Sequence, residues 1–96
     1  MKMGDRIGIV FKDINGGESM VLQHHWAGRR LLKEAQQWLH AVPDPSKYTA
    51  GCALAHFLQW YGGEFGIDDE FVIQDNYDDT EDNGIFVVDL GEKVVA

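Results

Sequence analysis

Ninety-six residues, 45% hydrophobic and 25% charged, suit one folded domain spanning residues 1–96 and exclude a disordered chain. A net charge of −8 sets the chain against phosphate backbones, so direct nucleic-acid binding is not expected. The lone Cys52 excludes an internal disulfide and fits a reducing cytoplasm, and no apolar run approaches the ~20 residues a membrane span needs.

The first element is "RIGIVFKD", residues 6–13, where Ile7, Ile9 and Phe11 alternate with Val10 as in a strand. Asn15-Gly16 supplies a turn, and "ESMVLQHH" returns as a second strand with Met20 and Leu22 facing inward. Over residues 26–42 the period becomes helical. Leu31, Leu32, Ala35, Trp38, Leu39 and Val42 form one face, with Arg29, Lys33, Gln36, Gln37 and His40 opposite. Pro43 ends that helix. In "DPSK", Asp44 reads as the cap of a second helix and Pro45 as its first turn. Leu54, Phe57, Leu58 and Tyr61 share a face of this second helix, and its small residues, Cys52 among them, suggest close packing and a central position. His56 is expected to make a core hydrogen bond, and Gly62-Gly63 to stop the helix.

Two further strands follow, "EFVIQD" (70–75) and "GIFVVDL" (84–90), with "KVVA" as a short final one. Asn83-Gly84 between them is a strong hairpin signal. The order β-β-α-α-β-β, with a short fifth strand, predicts an α+β two-layer sandwich with two helices on one face of an antiparallel sheet.

Charge is divided along the chain. Residues 1–47 carry seven Lys/Arg against five acids, whereas residues 48–96 carry eleven acids and only Lys93. Nine acids, Glu64, Asp68, Asp69, Glu70, Asp75, Asp78, Asp79, Glu81 and Asp82, follow one another with no base among them. Such a run is either a solvated face or a docking strip for a basic protein surface, selected by charge complementarity. Within it Asp79, Glu81 and Asn83, followed by Gly84, match the first positions of a calcium loop. Leu90, however, stands where the closing bidentate Glu is required, so no metal site is assigned.

The cationic counterpart is "HHWAGRR". His24, His25, Trp26, Arg29 and Arg30 gather where the second strand gives way to the first helix, with no Ser, Thr, Asp or Asn to cap it. An anion there would satisfy free N–H groups and arginines together, be it a carboxylate of the protein's own second half or an external ligand. His24 and His25 are adjacent and so point to opposite faces of a strand, and the common zinc spacings are absent. No nucleophile elbow, P-loop or dinucleotide fingerprint occurs, and no cofactor is implied.

With Gly4-Asp5-Arg6 and His25-Trp26-Ala27-Gly28 placed, the opening third resembles short uncharacterised archaeal, bacterial and phage proteins. In these a GDR-type start leads into an apolar strand, and the next strand ends in a His-Trp-(Gly/Ala)-Gly element before a helix. The resemblance implies no activity, and marks the strand-to-helix junction as a position of interest. Two functions remain in view, along with self-association into a homodimer. One is a macromolecule-binding module that uses the acidic strip. The other is a ligand-binding protein or enzyme with an anion or metal site at the junction.

Overall fold

The computed structural model describes residues 4–75 and 82–96. Its strands are β1 (Ile7–Lys12), β2 (Val21–His24), β3 (Phe71–Gln74), β4 (Ile85–Asp89) and β5 (Val94–Val95). Its helices are α1 (Arg30–Ala41) and α2 (Ala50–Phe65), with a short 3₁₀ turn at Pro45–Lys47 between them. The fold is α+β, with one five-stranded sheet in the order β3-β2-β1-β4-β5.

The β1–β2 hairpin forms as the sequence predicts, pairing Ile7 with His24 and Ile9 with Leu22 around the turn at Gly16 (φ +85°). Asp13 organises that turn by accepting the Asn15 and Gly17 N–H groups on Oδ1. Leu22 faces the core, but Met20 precedes β2 and is half exposed, so only one of the two expected inward residues is inward.

The expected wholly antiparallel sheet is not formed. β4 runs parallel to β1, pairing Ile9 with Phe86 and Phe11 with Val88. β3 pairs instead with the far side of β2, so β2 and β1 stand between β3 and β4. Asn83-Gly84 is therefore not a hairpin tip. Gly84 (φ +85°) leads into β4, and the Asn83 amide donates to Asp5 Oδ1 (2.7 Å) and the Arg6 carbonyl (2.8 Å). The run "IFVV" is apolar throughout, although only Val88 is fully buried and Ile85 is 41% exposed.

Both helices lie over the face that carries Ile7, Ile9, Phe11, Leu22 and Val88. Trp38 is fully buried among Phe11 (centroids 5.5 Å apart) and Phe57 (6.0 Å), and its Nε1–H donates to His56 Nδ1 at 2.9 Å, the hydrogen bond expected of His56. Each such large apolar side chain contributes about 1.5–3 kcal/mol by leaving water.

Helix boundaries depart from the sequence reading. α1 begins at Arg30, not Trp26, because residues 26–28 are drawn into a turn around His24. Asp44-Pro45 opens the 3₁₀ turn, and Asp44 makes no cap bond; its Oδ1 accepts from Ser46. The first N–H of α2, on Ala50, is instead taken by the distant Asp13 Oδ2 (3.2 Å). α2 also passes through Gly62-Gly63 and stops at Gly66, whose φ of +90° ends it. Nor is α2 the most buried element, since Gly51, Cys52 and Ala55 line an exposed side.

Candidate functional site

Two motifs twenty residues apart in the chain meet at one end of the sheet. The Asp5 N–H donates to the His25 carbonyl (2.9 Å) and the Gly28 N–H to the Asp5 carbonyl (2.8 Å). Gly28 has φ +57°, and a Cβ there would collide with the Asp5 carboxylate, so this position excludes other side chains twice over. A Cβ on Gly4 would stand 3.0 Å from the His25 carbonyl. Asp82 joins the same knot by accepting the Arg6 backbone N–H (2.8 Å) and Nε–H (3.0 Å) on one oxygen.

His24 is the pivot of the junction. It is 2% exposed, and the backbone N–H groups of Trp26 and Ala27 both point at Nδ1 (3.0 and 2.8 Å). Two donors at one ring nitrogen require a lone pair there, which places the proton on Nε2; that proton is donated to Asp68 Oδ2 at 2.8 Å. Both nitrogens are thereby engaged, and His24 offers neither a metal ligand nor a free base. Burial pushes the Asp68 carboxyl up. The hydrogen bonds from His24 and the Glu70 N–H, with the charge of Arg30, outweigh it and hold Asp68 below the ordinary carboxylate value.

The other junction residues diverge. His25 and Trp26 are exposed, Trp26 by 56% with its ring beside Gly4. The Arg29 guanidinium lies 5.2 Å from the Phe86 ring centre. Arg30 pairs with Glu34 on its own helix (3.4 Å) and reaches the Tyr61 hydroxyl at 3.5 Å. The acid from the second half that docks at the junction thus meets His24, not the arginines. Glu34 is a buried acid that the helical pattern concealed, and its Oε1 has no hydrogen-bond partner among the described residues. Burial, then the nearby Glu34 charge, raises the Tyr61 phenol above its ordinary value.

The acidic strip divides along its length. Glu64 closes the last turn of α2, Asp68, Asp69 and Glu70 lead into β3, and Asp75 follows it; all but Asp68 are exposed. Asp82 is turned away onto Arg6, its side chain only 11% exposed. Asp78, Asp79 and Glu81 lie outside the described residues, and with them most of the calcium-loop match. Among the described residues no three His, Cys, Asp or Glu side chains converge as a metal site. No described helix is long and apolar enough to cross a membrane.

Between α2 and β3, inside the run of acids, lies an apolar groove of 390 Å³ walled by Leu58, Tyr61, Ile67, Asp68, Phe71 and Ile73. Ile67 is 93% exposed and Ile73 47%, although both are large aliphatic residues. Sequence patterning does not reveal this groove, for Ile67 stands alone in a polar loop; that isolation is its only signal. A second, polar cavity of 610 Å³ lies at the other end of the sheet, beside Asp13 and Asp89. Two of its carboxylates are occupied by backbone N–H groups: Asp13 takes those of Gly17, Ala50 and Asn15, and Asp89 those of Gly91 and Glu92, while Glu92 is exposed. Trp26, Arg29 and Arg30 line neither cavity. No known family model matches this chain, and no curated protein or solved structure matches it significantly.

Proposed function

We propose that this domain acts by binding a macromolecular partner, a protein with a basic surface, through the acids Glu64, Asp68, Asp69, Glu70 and Asp75. The observation that carries the reading is that these acids frame exposed apolar side chains, not an ordinary solvated face. An apolar centre with a charged border is the build of a protein interface, in which the border steers and the centre holds. The C-terminus of α2 ends beside the same border with no basic residue in its last turn, so its dipole adds to the negative field.

The junction at His24, His25, Trp26, Arg29 and Arg30 is the weaker candidate for a ligand site. The hydrogen-bonding atoms of His24 are consumed internally, and the two arginines lean on Phe86 and Glu34 in place of converging on a common point. The test is an NMR titration with an oligolysine peptide and, separately, with inorganic phosphate. Shifts at Glu64, Asp69, Glu70 and Asp75 that fade with added salt are expected from the peptide. Phosphate shifts confined to His25–Arg30, with no response to oligolysine, would transfer the function to the junction.

A further inference from the structure

The acids border the outer edge of β3, which pairs with no described strand, and that edge dictates how a basic partner is held. The His25 N–H donates to the Glu70 carbonyl (3.3 Å) at the end of the β2–β3 ladder. The Gly8 N–H, bonded to the Gly84 carbonyl of the β4 side, leaves Ile7 and Ile9 to face Leu22 and His24, so that Val21 and Gln23 face β3. Alternation along an antiparallel ladder then turns the N–H and C=O groups of Val72 and Gln74 toward β2, and those of Phe71 and Ile73 outward. β3 is the last strand of the sheet, so no described strand takes these outward groups. The side chains of Phe71 and Ile73 wall the apolar groove on the helical side, with Ile67 next to them.

Building on the acidic-surface reading above, we propose that an extended basic segment of a partner protein adds to the outer edge of β3 as a further strand. Its backbone pairs with Phe71 and Ile73. Side chains on its helical side cover the groove over Ile67 and Leu58, and its Lys or Arg residues meet Asp69, Glu70, Asp75 and Glu64. Strand addition draws affinity from main-chain hydrogen bonds and specificity from pockets for alternate side chains, and this surface supplies both.

Charge decides between a basic segment and a second copy of this chain. Antiparallel pairing of β3 with its own copy would bring Asp69 and Glu70 of one molecule against Asp75 of the other, within a stretch, residues 48–92, that carries no Lys or Arg. Acids flanking a short edge strand protect it against self-pairing and leave it open to a segment of opposite charge.

The test uses the full chain and three acetylated peptides: alternating Val-Lys, alternating Ser-Lys, and the Val-Lys peptide N-methylated on the amides of one edge. Strand addition predicts that Val-Lys binds at least about tenfold more tightly than the other two, since each loses either the groove contacts or the main-chain bonds. It also predicts slowed amide exchange at Phe71 and Ile73 in the complex. Ile67→Ser should weaken Val-Lys binding without loss of fold, because that side chain is 93% exposed. Equal binding of the N-methylated and parent peptides overturns strand addition and leaves the acidic surface standing. No binding of any of the three removes both. Protection of Phe71 and Ile73 in the protein alone, with a doubled mass, would show the edge taken by a second copy and overturn the proposal.

Discussion

Replacing His24 with Phe isolates what its two nitrogens do, because Phe preserves the ring and its edge-on contact with Phe71 (centroids 4.7 Å apart). The loss on the Nδ1 side is the acceptor for two backbone donors. The Ala27 N–H is buried and becomes an orphan, at a cost of about 1–3 kcal/mol. The loss on the Nε2 side is the bond to ionised Asp68. Bonds to charged groups contribute about 1.5–3 kcal/mol, and the low end applies because the Asp68 side chain is 23% exposed and water can replace the ring. Together His24→Phe should cost about 3–4 kcal/mol, which at ~4–8 °C per kcal/mol is a fall in Tm of roughly 12–30 °C. Urea unfolding of the parent, His24→Phe, Asp68→Ala and the double variant measures it. The coupling between the two sites should be about 1.5 kcal/mol, leaving the remainder on the Nδ1 side. A His24→Phe protein within ~0.5 kcal/mol of the parent, the ordinary range of surface changes, would refute the clamp.

Further outcomes follow from the same geometry. Gly28→Ala should destabilise by more than the ~1–2 kcal/mol of a left-handed backbone, because Asp5 occupies the added methyl's space. Gly51→Ala, on an open helix side, should stabilise by about 0.5–1 kcal/mol, and thermal melts compare the two. Asp68 has a lowered pKa when folded, so its contribution is present above the ordinary carboxylate pKa of ~3.9 and is lost as pH falls below it. Asp68→Asn should therefore flatten the acid limb of stability against pH, and an unchanged limb would assign acid unfolding to other carboxylates. Glu34→Met should leave stability equal or raise it by about 1 kcal/mol by removing an orphaned buried acceptor. A clear fall in its denaturation midpoint would show that Arg30 or Tyr61 depends on the carboxylate.

Local structure was legible in the sequence wherever neighbours in the chain are neighbours in space. The β1–β2 hairpin and the buried face of α1 around Leu31, Ala35, Trp38 and Leu39 follow from alternation and helical spacing. The partner of β4 does not. Asn83-Gly84 has the same local chemistry whether it turns a hairpin or, as here, ties its side chain to Asp5 and Arg6 ahead of a central strand. Strand pairing across the length of the chain leaves only a compositional trace, the unbroken apolar run at residues 85–88. The candidate surface was half legible. The acids are plain in the sequence, but Asp82's withdrawal onto Arg6 depends on the pairing of β1 with β4, and the exposure of Ile67 on how β3 and α2 are brought together.

The parallel pairing of β1 with β4 also orders events during synthesis. Gly8 meets Ile85, so the inner flank of β1 must wait until β4 is made. At translation speeds of 5–20 residues per second that interval is roughly 4–15 s, during which the β1–β2 hairpin keeps an apolar flank open. The helices that cover it arrive meanwhile, but Val88 and Leu90, both fully buried, are still missing from the core. A nascent chain stalled before residue 85 should therefore be sensitive to protease along its whole length, and become resistant in a single step when β4 emerges.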